Sequence, residues 1–148
     1  MNHRIFGKQL GRNHNQRQAL FRSLVNAIFL HGHLKSTKAK VQAIIPTVEK
    51  LCTTAKKSDL IAYRTFAKYF PNRSQAKNVV DAVRKAFDQQ TSNFTKTTNL
   101  KYRLGDQALI VKLAFTRPYQ LETPLKVEAK AETKTAPKPV IKKKTKKA

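Results

Sequence analysis

Four histidines, one cysteine and eight carboxylates are the side chains here that could hold a metal or run acid–base and nucleophilic chemistry. Their spacing assembles none of these. His31-Gly32-His33 suggests a metal pair, but no cysteine or carboxylate lies near it in sequence to complete a ligand set. Cys52 stands alone, which excludes an internal disulfide and a cysteine zinc site. It falls among apolar helical positions, so it is expected in the core. No nucleophile sits beside a base, no carboxylates pair, and the four glycines of the chain form no phosphate-cradling loop. Neither an enzyme, a cofactor nor a small-molecule substrate is expected.

The chemistry that remains is electrostatic. Thirty-one Lys and Arg stand against eight Asp and Glu in 148 residues, a formal net charge of +23. A folded unit of that size repels itself, so an acidic partner is implied. Nucleic acid fits best, because dense phosphates release counterions when neutralised; an anionic membrane surface is the weaker alternative. No run approaches the roughly 18 apolar residues of a membrane span. Met1 to Asn15 lacks the apolar stretch of a signal peptide. These features predict a cytosolic protein with no membrane partner.

The cations cluster at the ends. Residues 1–40 hold eight Lys or Arg and no acid, and residues 116–148 hold ten Lys or Arg and three Glu. The middle carries Glu49, Asp59, Asp81, Asp88 and Asp106. In the N-terminal segment Arg4, Lys8, Arg12 and Arg17 recur at spacings of four and five. Gly7 and Gly11 let the backbone bend toward phosphates, Phe6 can stack on a base, and His3 and His14 can donate to phosphate or stack. Lys101-Tyr102-Arg103 sets two cations around an aromatic; alternation along a half-exposed strand explains it equally well. The lysine-rich end reads either as a solvated extension or as nonspecific phosphate attraction.

The elements that must position these residues follow from periodicity. Residues 1–15 have none and read as an extended basic arm. A helix at about Gln16 to His31, capped by Asn15 or Asn13 and ended by Gly32, carries a core stripe of Leu20, Phe21, Leu24, Val25 and Ile28. His33 to Thr37 suits a short strand. A second helix, about Lys38 to Lys56, holds Val41, Ile44, Ile45, Val48, Leu51, Cys52 and Ala55 on its apolar face. Pro46 inside it predicts a kink or break. Ser58 is expected to cap a third helix, about Asp59 to Tyr69, ended by Pro71. Ser74 is expected to cap a fourth, about Gln75 to Gln90, with Ala76, Val79, Val80, Val83 and Phe87 on one face. Thr95 to Leu104 and Gln107 to Phe115 read as strands of a hairpin turning at Gly105-Asp106. The second of them, apolar on both faces near its middle, is expected inside the sheet. Residues 116–148 hold too little apolar surface to order. The reading is an α+β domain over residues 16–115, order α-β-α-α-α-β-β, with helices packed on one face of a small sheet.

The opening Met1-Asn2-His3-Arg4-Ile5-Phe6-Gly7-Lys8-Gln9-Leu10-Gly11-Arg12-Asn13, followed by Arg17-Gln18-Ala19-Leu20-Phe21-Arg22, resembles the bacterial large-subunit ribosomal protein family numbered seventeen. Lys35-Ser36-Thr37 with Lys40, Glu49, Leu51, Thr53, Ala55 and Lys56 matches that family's second helix and its approach. Thr95-Lys96 and Arg103-Leu104-Gly105-Asp106-Gln107-Ala108 match its hairpin. The likeness covers about residues 1 to 115. Ala39 stands where the family has proline, and Pro46 where it continues helix. The resemblance implies the same two-layer fold. It also implies binding to 23S ribosomal RNA near the polypeptide exit tunnel, with other large-subunit proteins as neighbours, in the cytoplasmic ribosome.

The candidate RNA-binding residues are therefore His3, Arg4, Lys8, Arg12, His14, Arg17, Arg22, Lys35, Lys38, Lys40, Lys96, Lys101 and Arg103. The rival is a free DNA-binding nucleoid-type or regulatory protein, which needs an exposed recognition helix after a tight turn; the helix pairs here offer no evident one. An RNA-modifying enzyme is disfavoured by the lack of a catalytic cluster.

Overall fold

The computed structural model describes residues 7–57 and 59–121. The candidates His3 and Arg4, the stacking role of Phe6, the Ser58 cap and the order of residues 122–148 lie outside the described residues. Seven elements follow one another: α1 (His14–His31), β1 (His33–Thr37), α2 (Lys38–Lys57), α3 (Asp59–Phe66), α4 (Arg73–Phe87), β2 (Thr95–Tyr102) and β3 (Leu109–Phe115). This is the expected α+β order. The sheet is antiparallel with order β1-β3-β2, so the doubly apolar strand is indeed the inner one.

Helix α1 begins at His14, two residues before the expected start at Gln16. Asn13 is extended, and its N–H donates to Gln16 Oε1 at 3.4 Å, satisfying a donor ahead of the first turn. Gly32 ends the helix at φ 72°, donating its N–H to Ile28 O at 2.8 Å. Leu24, Val25 and Ile28 are buried as expected, and Leu20 and Phe21 pack at the margin. Phe29, one turn beyond Val25, continues the row and is the aromatic hub. It meets Phe66 and Phe115 at 5.4 Å between centroids, and Phe70 at 6.3 Å.

Pro46 does not break α2, which runs unbroken from Lys38 to Lys57. Pro46 and Gln42, whose carbonyl loses its donor, are both exposed, so water can serve that oxygen. Val41, Ile44, Val48, Leu51, Cys52 and Ala55 are buried along the other face and hold both halves to the core. Helix α3 stops at Phe66, short of Tyr69: Tyr69 N–H already bonds Phe66 O at 2.9 Å, a tighter turn. Helix α4 starts at Arg73, with extended Asn72 rather than Ser74 at its N-cap, and ends at Phe87 rather than Gln90. The hairpin is wider than a two-residue turn. Arg103 N–H bonds Ala108 O at 2.9 Å across a four-residue loop that holds Gly105 at φ 104° and Gln107 at φ 49°.

All four helices pack toward one face of the sheet, where Val111, Leu113 and Phe115 of β3 are buried. Among the described residues the buried set contains no polar or charged side chain. Cys52 is buried and free, and burial, with Glu49 nearby, pushes its thiol well above the ordinary range. Glu49 joins the layers. Its carboxylate accepts Phe94 N–H at 3.2 Å, Thr95 N–H at 3.0 Å and the Thr95 hydroxyl at 2.8 Å, fixing the start of β2 on α2.

The packed domain does not end at Phe115, the expected boundary. Tyr119 lies 4.8 Å from the Phe115 ring and 6.4 Å from Phe29, and Leu121 also packs on the core. Burial holds the Tyr119 phenol above its ordinary range. One aromatic and one aliphatic residue suffice to order this short run because β3 delivers it directly onto exposed core edge.

Two outcomes follow. Glu49→Ala leaves two backbone donors and a hydroxyl unserved, and is expected to lower unfolding free energy by about 1 to 3 kcal/mol, measured by urea denaturation. A chain ending at Leu121 is expected to be more stable than one ending at Phe115 by about 2 kcal/mol; equal melting of the two would show that Tyr119 and Leu121 contribute nothing.

Candidate nucleic-acid interface

The carboxylates come first, because they decide which cations are left over. Asp59 pairs with Arg84 between α3 and α4. Asp81 accepts the Tyr63 hydroxyl at 3.3 Å. Glu49 is used at the α2–β2 joint, and Asp106 pairs with Arg103 in the hairpin loop. Asp88 lies just past α4 and accepts from the Gln89 amide at 3.0 Å. Among the described residues, ion pairs engage Arg84 and Arg103 alone. Every other described cation is without a carboxylate partner among the described residues.

The described part of the arm bends. Arg12 N–H bonds Gln9 O at 3.2 Å, with Leu10 at φ 55° and Gly11 at φ 61°. The Arg12 guanidinium folds back onto Leu10 O at 3.0 Å. A left-handed leucine is strained, and Gly11 beside it relieves the second position. Lys8 is carried to α2, where its ammonium donates to the Gln42 side chain. Gln42 stands one turn beyond Lys38 on the exposed face. Lys8, Lys38 and half-buried Lys40 therefore share the N-terminal end of α2.

That end has no acid in its first turn. The helix dipole places partial positive charge there, so Lys38 and Lys40 sit where cations are least favoured. The free backbone N–H groups add to the same field, which suits an anion. On α1, His14 occupies the first position with its Nε2 2.9 Å from the Gln18 amide; Arg17 is half-buried and Arg22 exposed. His33 Nδ1 lies 3.1 Å from His31 O, so the two histidines bond through backbone instead of converging on a site. Among the described residues no group of three His, Cys, Asp or Glu could hold a metal.

The sheet brings together what the sequence separates. Register pairs Lys35 with Lys112, Thr98 with Lys112, Lys96 with Ala114, and Lys101 with Ile110. These positions alternate with the buried Val111, Leu113 and Phe115, so they share the face turned away from the helices. Lys35, Lys96 and Lys101 are exposed there, as the alternation reading allows. Lys112 is the residue that sequence reasoning missed. It stands in the most apolar strand, and only its polarity between Val111 and Leu113 signalled an outward position. Tyr102 is exposed but falls on the other face, paired with Leu109. Arg103 is drawn into the loop by Asp106 and is the candidate least available to RNA.

That pairing has a pH signature. The Arg103 hydrogen bond, helped by Ala108 N–H, holds the Asp106 carboxyl below the usual carboxylate range. A depressed acid contributes stability above its unfolded value and loses it as pH falls through the folded one. In an NMR titration Asp106 is expected to stay ionised to lower pH than an ordinary aspartate, and Arg103→Ala to move it back up; an unmoved Asp106 would show that the backbone N–H alone sets it.

Comparison with known proteins adds the remaining observation. The family model described as Ribosomal protein L17 matches residues 20–116. A large ribosomal subunit protein bL17 from Nitratidesulfovibrio vulgaris is 32% identical over 133 residues, 89% of this chain and 100% of that one. The protein of the same name from Trichlorobacter lovleyi is 32% identical over 108 residues, 73% of this chain and 87% of that one. Its counterpart from Thermodesulfovibrio yellowstonii is 30% identical over 108 residues, 73% of this chain and 81% of that one.

Proposed function

Because this chain belongs to the ribosomal protein L17 family, and so is a structural, non-enzymatic component of the large ribosomal subunit, we propose that it binds and stabilises 23S ribosomal RNA near the polypeptide exit tunnel. Membership implies association with ribosomal RNA and with other ribosomal proteins. The finer placement rests on the family likeness of the arm and hairpin. It implies a cytoplasmic location in the ribosome; no helix among the described residues is long and apolar enough to cross a membrane.

The observation that carries the RNA reading is the division of charge. The five carboxylates of the middle segment are used within or beside the fold's own joints. The cations of the arm, α1, the α2 N-terminus and the outer sheet have no carboxylate partner among the described residues. Such a surface is stable in company with phosphate, which neutralises it and releases counterions. Arg4, Lys8, Arg12, Arg17, Arg22, Lys35, Lys38 and Lys40 are the residues assigned to phosphate here. Arginine forks onto phosphate oxygens, and lysine acts as a point charge.

The test is co-sedimentation of the protein with large subunits in a sucrose gradient; a protein that stays at the top of the gradient is not a subunit component. The contribution of the arm is read from a salt series on large-subunit RNA. Changing Arg4, Lys8 and Arg12 together to Ala is expected to flatten the log K against log salt slope by roughly two to three units. Circular dichroism is expected to be unchanged, since none of the three belongs to the apolar stripe expected of the first helix, and the described Lys8 and Arg12 lie outside the buried core. An unchanged slope would assign the binding to the globular domain alone.

A further inference from the structure

The outward face of the sheet is built from nine positions. His33, Lys35 and Thr37 come from β1, Ile110, Lys112 and Ala114 from β3, and Lys96, Thr98 and Lys101 from β2. Lys112 lies at the centre, with Lys35 directly opposite on one side and Thr98 on the other. Lys96 and Lys101 take the diagonal positions on β2. No carboxylate occupies any of the nine.

Two features oppose the stability of the free domain. Like charges directly across a strand pair destabilise a sheet, and Lys35 and Lys112 are such a pair. The second is the irregularity in β2. Pairing runs from Asn99 with Val111 to Lys101 with Ile110, leaving Leu100 as an extra residue. Without that bulge Leu100 would oppose Ile110 on the outward face and Lys101 would turn toward the helices. The bulge re-aims one side chain, and it brings a fourth lysine to a face that already holds three, while leaving Leu100 exposed.

The chemistry of the face says what it meets. It carries no Phe, Tyr or Trp, and its one imidazole, His33, stands at the end of β1 with Nδ1 3.1 Å from His31 O, so it lacks the row of aromatics by which sheets hold successive unpaired bases. It carries no arginine, so it lacks the fork that reads guanine edges. Four flexible point charges and two threonine hydroxyls recognise phosphate and ribose hydroxyl. Strands stand about 4.8 Å apart with residues rising about 3.3 Å each, so the lysines span a patch of roughly 10 by 15 Å. A base-paired helix, which shows its backbone outward and its bases inward, presents such groups over such a width.

We propose that this face, centred on Lys112 with Lys35, Lys96 and Lys101 around it, is a docking platform for the sugar–phosphate backbone of base-paired RNA. It rests on the RNA-binding reading above and names the form of RNA and the face that takes it. Stability of the free domain is given up to make it.

The test uses the full chain with Lys35→Thr and Lys112→Thr combined, and Lys77→Thr on the exposed side of α4 as a control. The probes are a labelled RNA duplex and a single-stranded oligouridine of equal phosphate number. Loss of two phosphate contacts is expected to flatten the duplex salt slope by about 1.4 to 1.8 units. Removing the like-charge pair is expected to raise the melting temperature of the free protein by roughly 2 to 4 °C. Oligouridine binding is expected to change less, and Lys77→Thr to leave the duplex slope and melting temperature as they were. If the wild type binds neither probe nor large-subunit RNA, the functional reading has failed and takes the platform with it. If the wild type binds and the double variant matches it, the platform alone is overturned. A melting temperature that falls with the binding also overturns it, because the lysines would then be holding the fold. Equal losses on oligouridine overturn the assignment to base-paired RNA.

Discussion

Everything in this domain is organised by the two faces of β3. Val111, Leu113 and Phe115 close the core from beneath four helices, while Lys112 stands on the opposite face between them in sequence. Pairing with β1 on one side and β2 on the other fixes what each face can hold, since a slip of one residue would exchange core and cation. The interior and the basic surface are thus specified by one constraint, the two-residue period of a central strand.

A chain of net charge +23 folds only if its self-repulsion is kept from the joints between elements. Carboxylates are used sparingly and at such places. Glu49 ties α2 to the start of β2, Asp59 ties α3 to Arg84 of α4, and Asp106 shapes the hairpin loop. Where no acid is spent, cations accumulate. That is the case at the bent arm, at the α2 N-terminus and on the outer sheet. Like charges crowded on such a surface repel one another, so an acidic partner is favoured there.

The resulting division of labour is spatial. The helical layer provides burial and carries all but one of the middle-segment acids. Among the described residues, the strands, the arm and the α2 N-terminus present cations without a carboxylate partner. Cys52 illustrates the first role, a thiol deep enough that burial holds it protonated. Lys8 illustrates the second: a residue of the arm reaches across to Gln42 and joins a cluster that belongs to another element.

Much of this was legible in the residues. Helical and strand periods specify the order of seven elements, because burial of one face demands apolar residues at 3.6- or 2-residue spacing. The both-faced apolarity of β3 specifies its central place, and the absence of acids from residues 1–40 specifies where the charge lies. Local stop signals were less decisive. Pro46 reads as a kink or break, but Gln42 and Pro46 are exposed, where water can serve the carbonyl left without a donor, and burial of the opposite face carried the helix through. Gly105-Asp106 reads as a tight turn, but the register of β2 against β3 set a wider loop. Composition after Thr116 reads as featureless, but β3 brings Tyr119 and Leu121 onto the core. The resemblance to a ribosomal family was carried by motifs that a sequence displays directly. Which lysines share a surface was decided only by strand pairing, since Lys35, Lys96, Lys101 and Lys112 come from three segments. No local pattern encodes their register: it depends on hydrogen bonds between strands and on a single extra residue at Leu100.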